Sequence, residues 1–278
     1  MHGLRPLGVG ELLDAAFKIY RGRFKTLILA VAVPVIPVIV LSTILTISAQ
    51  PRPSTDPTTG LATLDGGDVG LTLAATLIGA FALIIATSVA TAACFRSISG
   101  AYVGDDPTWQ ESLKFGFSRI WSVLGLTFLS GLASLAGLLL CCIGVIVPMA
   151  WFAVAMPALL LEGIGAGDAM GRSKRLVDGM FWRVLGIVLL GTILASVFQS
   201  MLSAPLVAIL FADVDQWVEQ LVNGVVQIFT TTLVTPFTAA LTTALYVDLR
   251  VRKEGFDLML WAQRLGTCLL YTSPSPRD

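Results

Sequence analysis

No aspartate, glutamate, lysine or arginine occurs between Arg119 and Glu162, a run of 42 residues. Water-soluble folds carry about a quarter charged residues, so a stretch of this length without one belongs in an apolar medium. A helix crossing roughly 30 Å of bilayer hydrocarbon takes about 20 apolar residues. The run therefore holds two crossings, divided near "CCIG", Cys141 to Gly144. The whole chain is 55% hydrophobic and 13% charged. The same reasoning along it gives six spans, at about 26–47, 71–95, 120–141, 143–161, 184–211 and 223–247. The predicted class is an all-α integral membrane protein. Its first apolar run is of full span length and lacks a clear cleavage site, which argues against a signal peptide.

An even number of spans puts both termini on one side. Sixteen lysines and arginines fall on that side and only Arg52 on the other. This asymmetry predicts cytoplasmic termini in a bacterial cytoplasmic membrane. Residues 1–25 are then an N-terminal cytoplasmic interfacial segment, 26–247 the six-helix membrane domain and 248–267 a cytoplasmic C-terminal segment. The final stretch "CLLYTSPSPRD", Cys268 to Asp278, reads as a translated sequencing adapter rather than native sequence. The native end is therefore expected somewhere beyond about residue 266. Arginine outnumbers lysine 13 to 5, as in GC-rich bacteria. The basic residues gather where spans end, so anionic lipid headgroups are the expected partner and nucleic acid is not.

Three stretches before the odd-numbered spans align: "AFKIYRGRFKTLIL" from Ala16, "SLKFGFSRIWSVLG" from Ser112 and "SKRLVDGMFWRVLG" from Ser173. Each opens on a small residue, has a basic one two places on (Lys18, Lys114, Arg175) and a small one at the seventh place (Gly22, Ser118, Gly179). Lys174 interrupts the apolar face of the third copy. In the first, Leu12, Leu13, Ala16, Phe17 and Tyr20 share a face opposite Glu11, Asp14, Lys18 and Arg21, the pattern of a helix lying in a membrane interface. Amphipathic interfacial helices are thus predicted before spans 1, 3 and 5, with Lys18, Arg21, Lys114, Arg175, Trp121 and Trp182 at the lipid interface. Small residues recur every four positions at Ala82, Ala86 and Ala90, and again at Ser130 and Ser134 with Gly137 near by, as helix-packing seams require.

Chemistry is sparse. An ionisable residue at bilayer depth costs about 2.5–3.5 kcal/mol and marks function when present; none of the six spans carries one. Cys94, Cys141, Cys142 and Cys268 lack metal-ligand spacing, and His2 is the single histidine. The glycine-rich "EGIGAGDAMGR" has no preceding strand and reads as a loop. The polar span residues are Gln199, Gln227 and the threonines at 230, 231, 232 and 235 beside Pro236, where hydroxyls commonly satisfy carbonyls freed by proline. No catalytic, metal or cofactor site is predicted. The charge that returns in "YVDLRVRKEGFD" offers one interaction motif: Asp248, Arg250, Arg252, Glu254 and Asp257. Asp248 with Arg252, and Arg250 with Glu254, stand four apart and can pair on a helix.

"RPLGVGELLDAAFKIYRGRF", "RSKRLVDGMFWRVLGI" and "YVDLRVRKEGFDL" together resemble a bacterial family of multi-pass membrane proteins labelled glycerophosphoryl diester phosphodiesterase membrane domain. The resemblance covers most of residues 5–266. It implies a membrane part that anchors, assembles or presents lipid, while hydrolysis in such phosphodiesterases belongs to a separate soluble barrel. The expected function is a non-enzymatic envelope protein assembling with lipids or another membrane protein. The alternatives are a lipid-handling permease and the anchor domain of a phosphodiesterase.

Overall fold

The computed structural model describes residues 8–50, 54–55, 62–63, 66–103, 106–140, 142–210 and 215–255. Asp257, residues 268–278, Cys141 and most of the loop after the first apolar run lie outside the described residues. What is described is helical apart from one short antiparallel pairing, Ser54–Thr55 with Ala62–Thr63 (β1 and β2).

The chain begins with a short helix α1 (Val9–Gly22), a single-residue break at Arg23, and a long helix α2 (Phe24–Ser48). A return helix α3 follows over Gly66–Val103. The same order recurs with α4 (Trp109–Ser118), α5 (Ile120–Leu140) and a return made of a 3-10 turn (Cys142–Val145), α6 (Ile146–Trp151) and α7 (Ala155–Glu162). It recurs again with α8 (Ala166–Val177), α9 (Phe181–Leu210) and α10 (Gln216–Glu254). Among the described residues, five helices are long and apolar enough to cross a membrane, within α2, α3, α5, α9 and α10.

The expected fourth span, 143–161, is not one helix but three pieces. Pro157 has no N–H to donate to the carbonyl of residue 153, and its ring crowds that carbonyl, which favours the break seen at 152–154. The glycine-rich "EGIGAGDAMGR" also departs from expectation. Only Gly163 to Gly165 is loop, and α8 starts at Ala166. Gly163 ends α7 in the left-handed region at φ 68°, which a side chain would strain. Asp168 in the first turn of α8 meets the positive end of the helix dipole.

Each short helix docks on a return helix: α4 on α3, α8 on α7, and α1 on α10. The first thus closes onto the last, and the three units form a ring. The residues opening the aligned stretches, Ala16, Ser112 and Ser173, are all fully buried in these contacts. So are Leu27, Val123 and Val184, eleven positions on in each copy. Close approach is literal at Gly116 of α4, where a Cβ would stand 2.6 Å from the Val89 carbonyl oxygen of α3. Within the two seams read from the sequence, Ala86, Ala90 and Gly137 are buried; Gly137 meets the backbone of Gly144. α2 and α10 stay helical through Pro34, Pro37 and Pro236.

Candidate functional site

An α-helix turns about 100° per residue, so residues four apart share a face and residues two apart point nearly opposite ways. At the end of α10 this rule sorts the charged motif into two faces. Tyr246, Arg250 and Glu254 form one; Asp248 and Arg252 form the other.

The first face meets α7 and α8. Arg172 of α8 donates from Nε to both oxygens of Glu162, at 2.9 and 3.0 Å. Its Nη1 lies 2.5 Å from Oε1 of Glu254, and its Nη2 donates to Oε2 at 2.9 Å. One guanidinium therefore bridges the end of α7 to the end of α10, in the forked geometry that makes such pairs strong. The Tyr246 hydroxyl donates to Glu162 Oε1 at 2.6 Å, and Arg250 Nε to Glu254 Oε2 at 3.0 Å. The Arg250 guanidinium also lies over the Tyr246 ring, 5.7 Å from its centroid. The hydrogen bond from Arg172, then that from Arg250, holds the Glu254 carboxyl below its ordinary range, against the opposing effect of burial. Arg172 is held above its ordinary value, chiefly by Glu254 and then by Glu162.

The second face meets the start of α9. The Asp248 side chain is wholly buried, and its Oδ2 accepts from Arg252 Nε at 2.9 Å and from Arg183 Nη2 at 3.1 Å. Lys253 adds a bond from Nζ to the backbone oxygen of Arg175, 2.7 Å away. The end of α10 is thereby tied to α7, α8 and α9 at once.

A second arrangement shares this end of the molecule. The Ser173 hydroxyl of α8 donates to the Trp151 carbonyl at 2.6 Å and accepts from the Val154 backbone N–H at 3.3 Å. It fills the gap that Pro157 opens between α6 and α7. Lys174, the break in the apolar face of the third copy, places Nζ 4.5 Å from the centre of the Trp151 ring. In the second unit Ser112 pairs with Ser97 of α3 at 2.8 Å. Near by, Arg23 donates to the Ser97 carbonyl at 2.8 Å and pairs with Asp106.

Of the residues singled out in the sequence, Asp248, Arg250, Arg252 and Glu254 come together in this cluster. Lys18, Arg21, Lys114 and Arg175 are exposed, and Trp121 and Trp182 are 84% and 81% exposed. Sequence reasoning passed over Glu162, Arg172, Arg183 and Ser173 as partners. One signal was available: Glu162 is the first charge after the 42-residue apolar run. Among the described residues no three His, Cys, Asp or Glu side chains gather as a metal-binding group. What the cluster does chemically is lock helices: both oxygens of Glu162 and of Glu254 are engaged by donors from other positions.

Fold and site thus define a helical protein, several of whose apolar helices are long enough to cross a membrane, cross-linked at one charged end. The chain belongs to the family described as a domain of unknown function (DUF7847), which matches residues 110–249. No curated protein and no solved structure matches it.

Proposed function

We propose that this chain is a non-enzymatic, six-span protein of the bacterial cytoplasmic membrane that assembles with lipids or with another membrane protein. The observation that carries the reading is the partition of charge. Residues 26–47, 69–95, 120–161, 184–210 and 220–247 hold no Asp, Glu, Lys, Arg or His, whereas α7, α8, α9 and α10 interlock through arginines and carboxylates at one end. Proton- or ion-coupled transport usually places charge at depth; here the apolar runs carry none.

In this reading the charged end faces the cytoplasm, α1, α4 and α8 lie in the interface, and α6 with α7 form the broken fourth span. Trp121, Trp182 and the exposed Lys18, Arg21, Lys114 and Arg175 then meet headgroups. The motifs shared with glycerophosphoryl diester phosphodiesterase membrane domains support a part that assembles or presents lipid. A polar cleft between α9 and α10 favours lipid handling as the second reading.

The test is native mass spectrometry of the chain purified in mild detergent from a related bacterium. A stoichiometric protein or a defined lipid retained on the chain is the expected result. Hydrolysis of a glycerophosphodiester by the purified chain, or solute flux in proteoliposomes, would overturn it. Reporter fusions at both ends check the cytoplasmic placement separately.

A further inference from the structure

Far from the charged cluster, α9 and α10 part around a cleft of about 520 Å³. Gln199 and Ser203 of α9 line it opposite Asn223, Gln227, Thr230 and Thr231 of α10. Amides and hydroxyls supply both donors and acceptors, and among the described residues no charged side chain lines it. Thr230 is only 9% exposed, and its hydroxyl has no hydrogen-bond partner among the described residues. The threonines beyond Pro236 behave differently. Thr238, Thr242 and Thr243 bond back to carbonyls of their own helix. Thr230 and Thr232 do not, and both hydroxyls are buried behind the wall, so the polar groups open to the cleft are the amides of Gln199, Asn223 and Gln227. Amides at that depth are costly unless something satisfies them.

Depth and surroundings say what that is. At 1.5 Å per residue, Thr235 lies about 18 Å and Asn223 about 36 Å along α10 from Val247. With about 30 Å of hydrocarbon, the cleft runs from the middle of the bilayer to the far headgroup level. Phe198, Met201, Val225 and Phe229 beside it are exposed. The site therefore offers polar contacts within a cleft and apolar surface along its flank. An amphiphile fits this, with its esters and hydroxyl inside and its acyl chains on the flank. An anionic headgroup does not, because no cation among the lining residues would offset its desolvation.

We propose that the α9–α10 cleft binds an uncharged glycerolipid from the outer leaflet, with Gln199 and Gln227 hydrogen-bonding its glycerol-ester region. The proposal rests on the membrane reading above. Recovery of the full chain in carbonate-washed membranes tests that reading by itself.

The test of the cleft is native mass spectrometry of the full chain in detergent, titrated with three probes: dioleoylglycerol, dioleoylphosphatidylglycerol and free glycerol. Dioleoylglycerol should be retained at least about tenfold more strongly than the anionic lipid, and glycerol not at all. Gln227→Met removes the amide with little change of side-chain length. Ser203→Phe fills the cleft from the other wall. Each should weaken dioleoylglycerol retention about tenfold, the scale of one or two lost hydrogen bonds. Thr192→Val, at an exposed position of α9 whose hydroxyl bonds its own helix, should not change it. If one cleft variant fails to fold, as read by circular dichroism, the other decides. Equal retention of the two lipids, retention of free glycerol, or unchanged retention by a folded cleft variant would each overturn the proposal.

Discussion

Ser173 does for the α6–α7 break what a backbone bond would do in an unbroken helix. Replacing it with alanine leaves the Trp151 carbonyl and the Val154 N–H buried without that hydroxyl. Ser173→Ala should therefore cost about 1–3 kcal/mol, the penalty for buried polar groups left unsatisfied. Thermal unfolding in detergent reads this, and an unchanged midpoint would show that the hydroxyl is not bridging the break. Asp248 is the other residue on which two elements depend. Arg183 and Arg252 converge on one of its oxygens, and removing a buried partner typically costs about 3–5 kcal/mol. Both arginines are about a quarter exposed, so the loss should fall at the lower end. A double-mutant cycle of Asp248→Ala with Arg252→Ala should show coupling of about 0.5–3 kcal/mol; strictly additive losses would rule out the pairing. The Asp248–Arg252 spacing was legible because helix geometry is local. The role of Ser173 was not. Its partners lie 19 and 22 residues upstream, in a break that Pro157 creates and that the apolar run conceals. Arg183 was hidden for the same reason: nothing local connects it to Asp248, 65 residues away.

The tie between α8 and α10 should respond to acid. The Glu254 carboxyl titrates below its ordinary value of 4.5, mainly because Arg172 donates to it and then because Arg250 does. Its folded value is depressed, so its contribution to stability is complete above about pH 4.5. That contribution is lost as pH falls through the lower folded value. Melting midpoints measured downward from pH 6 should drop in that window, and Glu254→Gln should start lower and lose part of the slope. A wild-type profile that drops only above pH 5 would place the responsible group elsewhere. Long apolar helices were readable as elements because their composition leaves few alternatives; α2, α3 and α10 extend the expected runs at both ends, by a residue or two to about two turns, α9 starts a turn early, and α5 keeps its expected start. The return from α5 is interrupted where the apolar run reads as continuous. Uniform apolarity gives no period from which to tell one helix from three pieces, and Pro157 lies at the break.

Ring closure makes a prediction that no single unit contains. Ala16, Ser112 and Ser173 occupy the same place in the three units, each fully buried where a short helix meets a return helix. The second and third contacts are made within the middle of the chain. The first joins α1, near the start, to α10, near the end, with Tyr20 also edge-on to Phe237 at 6.3 Å. A terminal helix that merely rested on the bundle would shift to accommodate a larger side chain at little cost. A helix that closes the ring would not, because α10 is already held by α7, α8 and α9 through its charged end. Enlarging each small residue to leucine should then destabilise all three docking contacts by about 1–3 kcal/mol, as overpacking does. The decisive comparison is among the three variants in one detergent. Ala16→Leu should lower the melting midpoint, and the transition should remain single. Ser112→Leu and Ser173→Leu should lie lower still, because each also removes a buried hydroxyl, the one paired with Ser97 and the other spanning the α6–α7 break. A melting midpoint for Ala16→Leu equal to that of the unaltered chain would mean that α1 is an attachment and that the three units do not close.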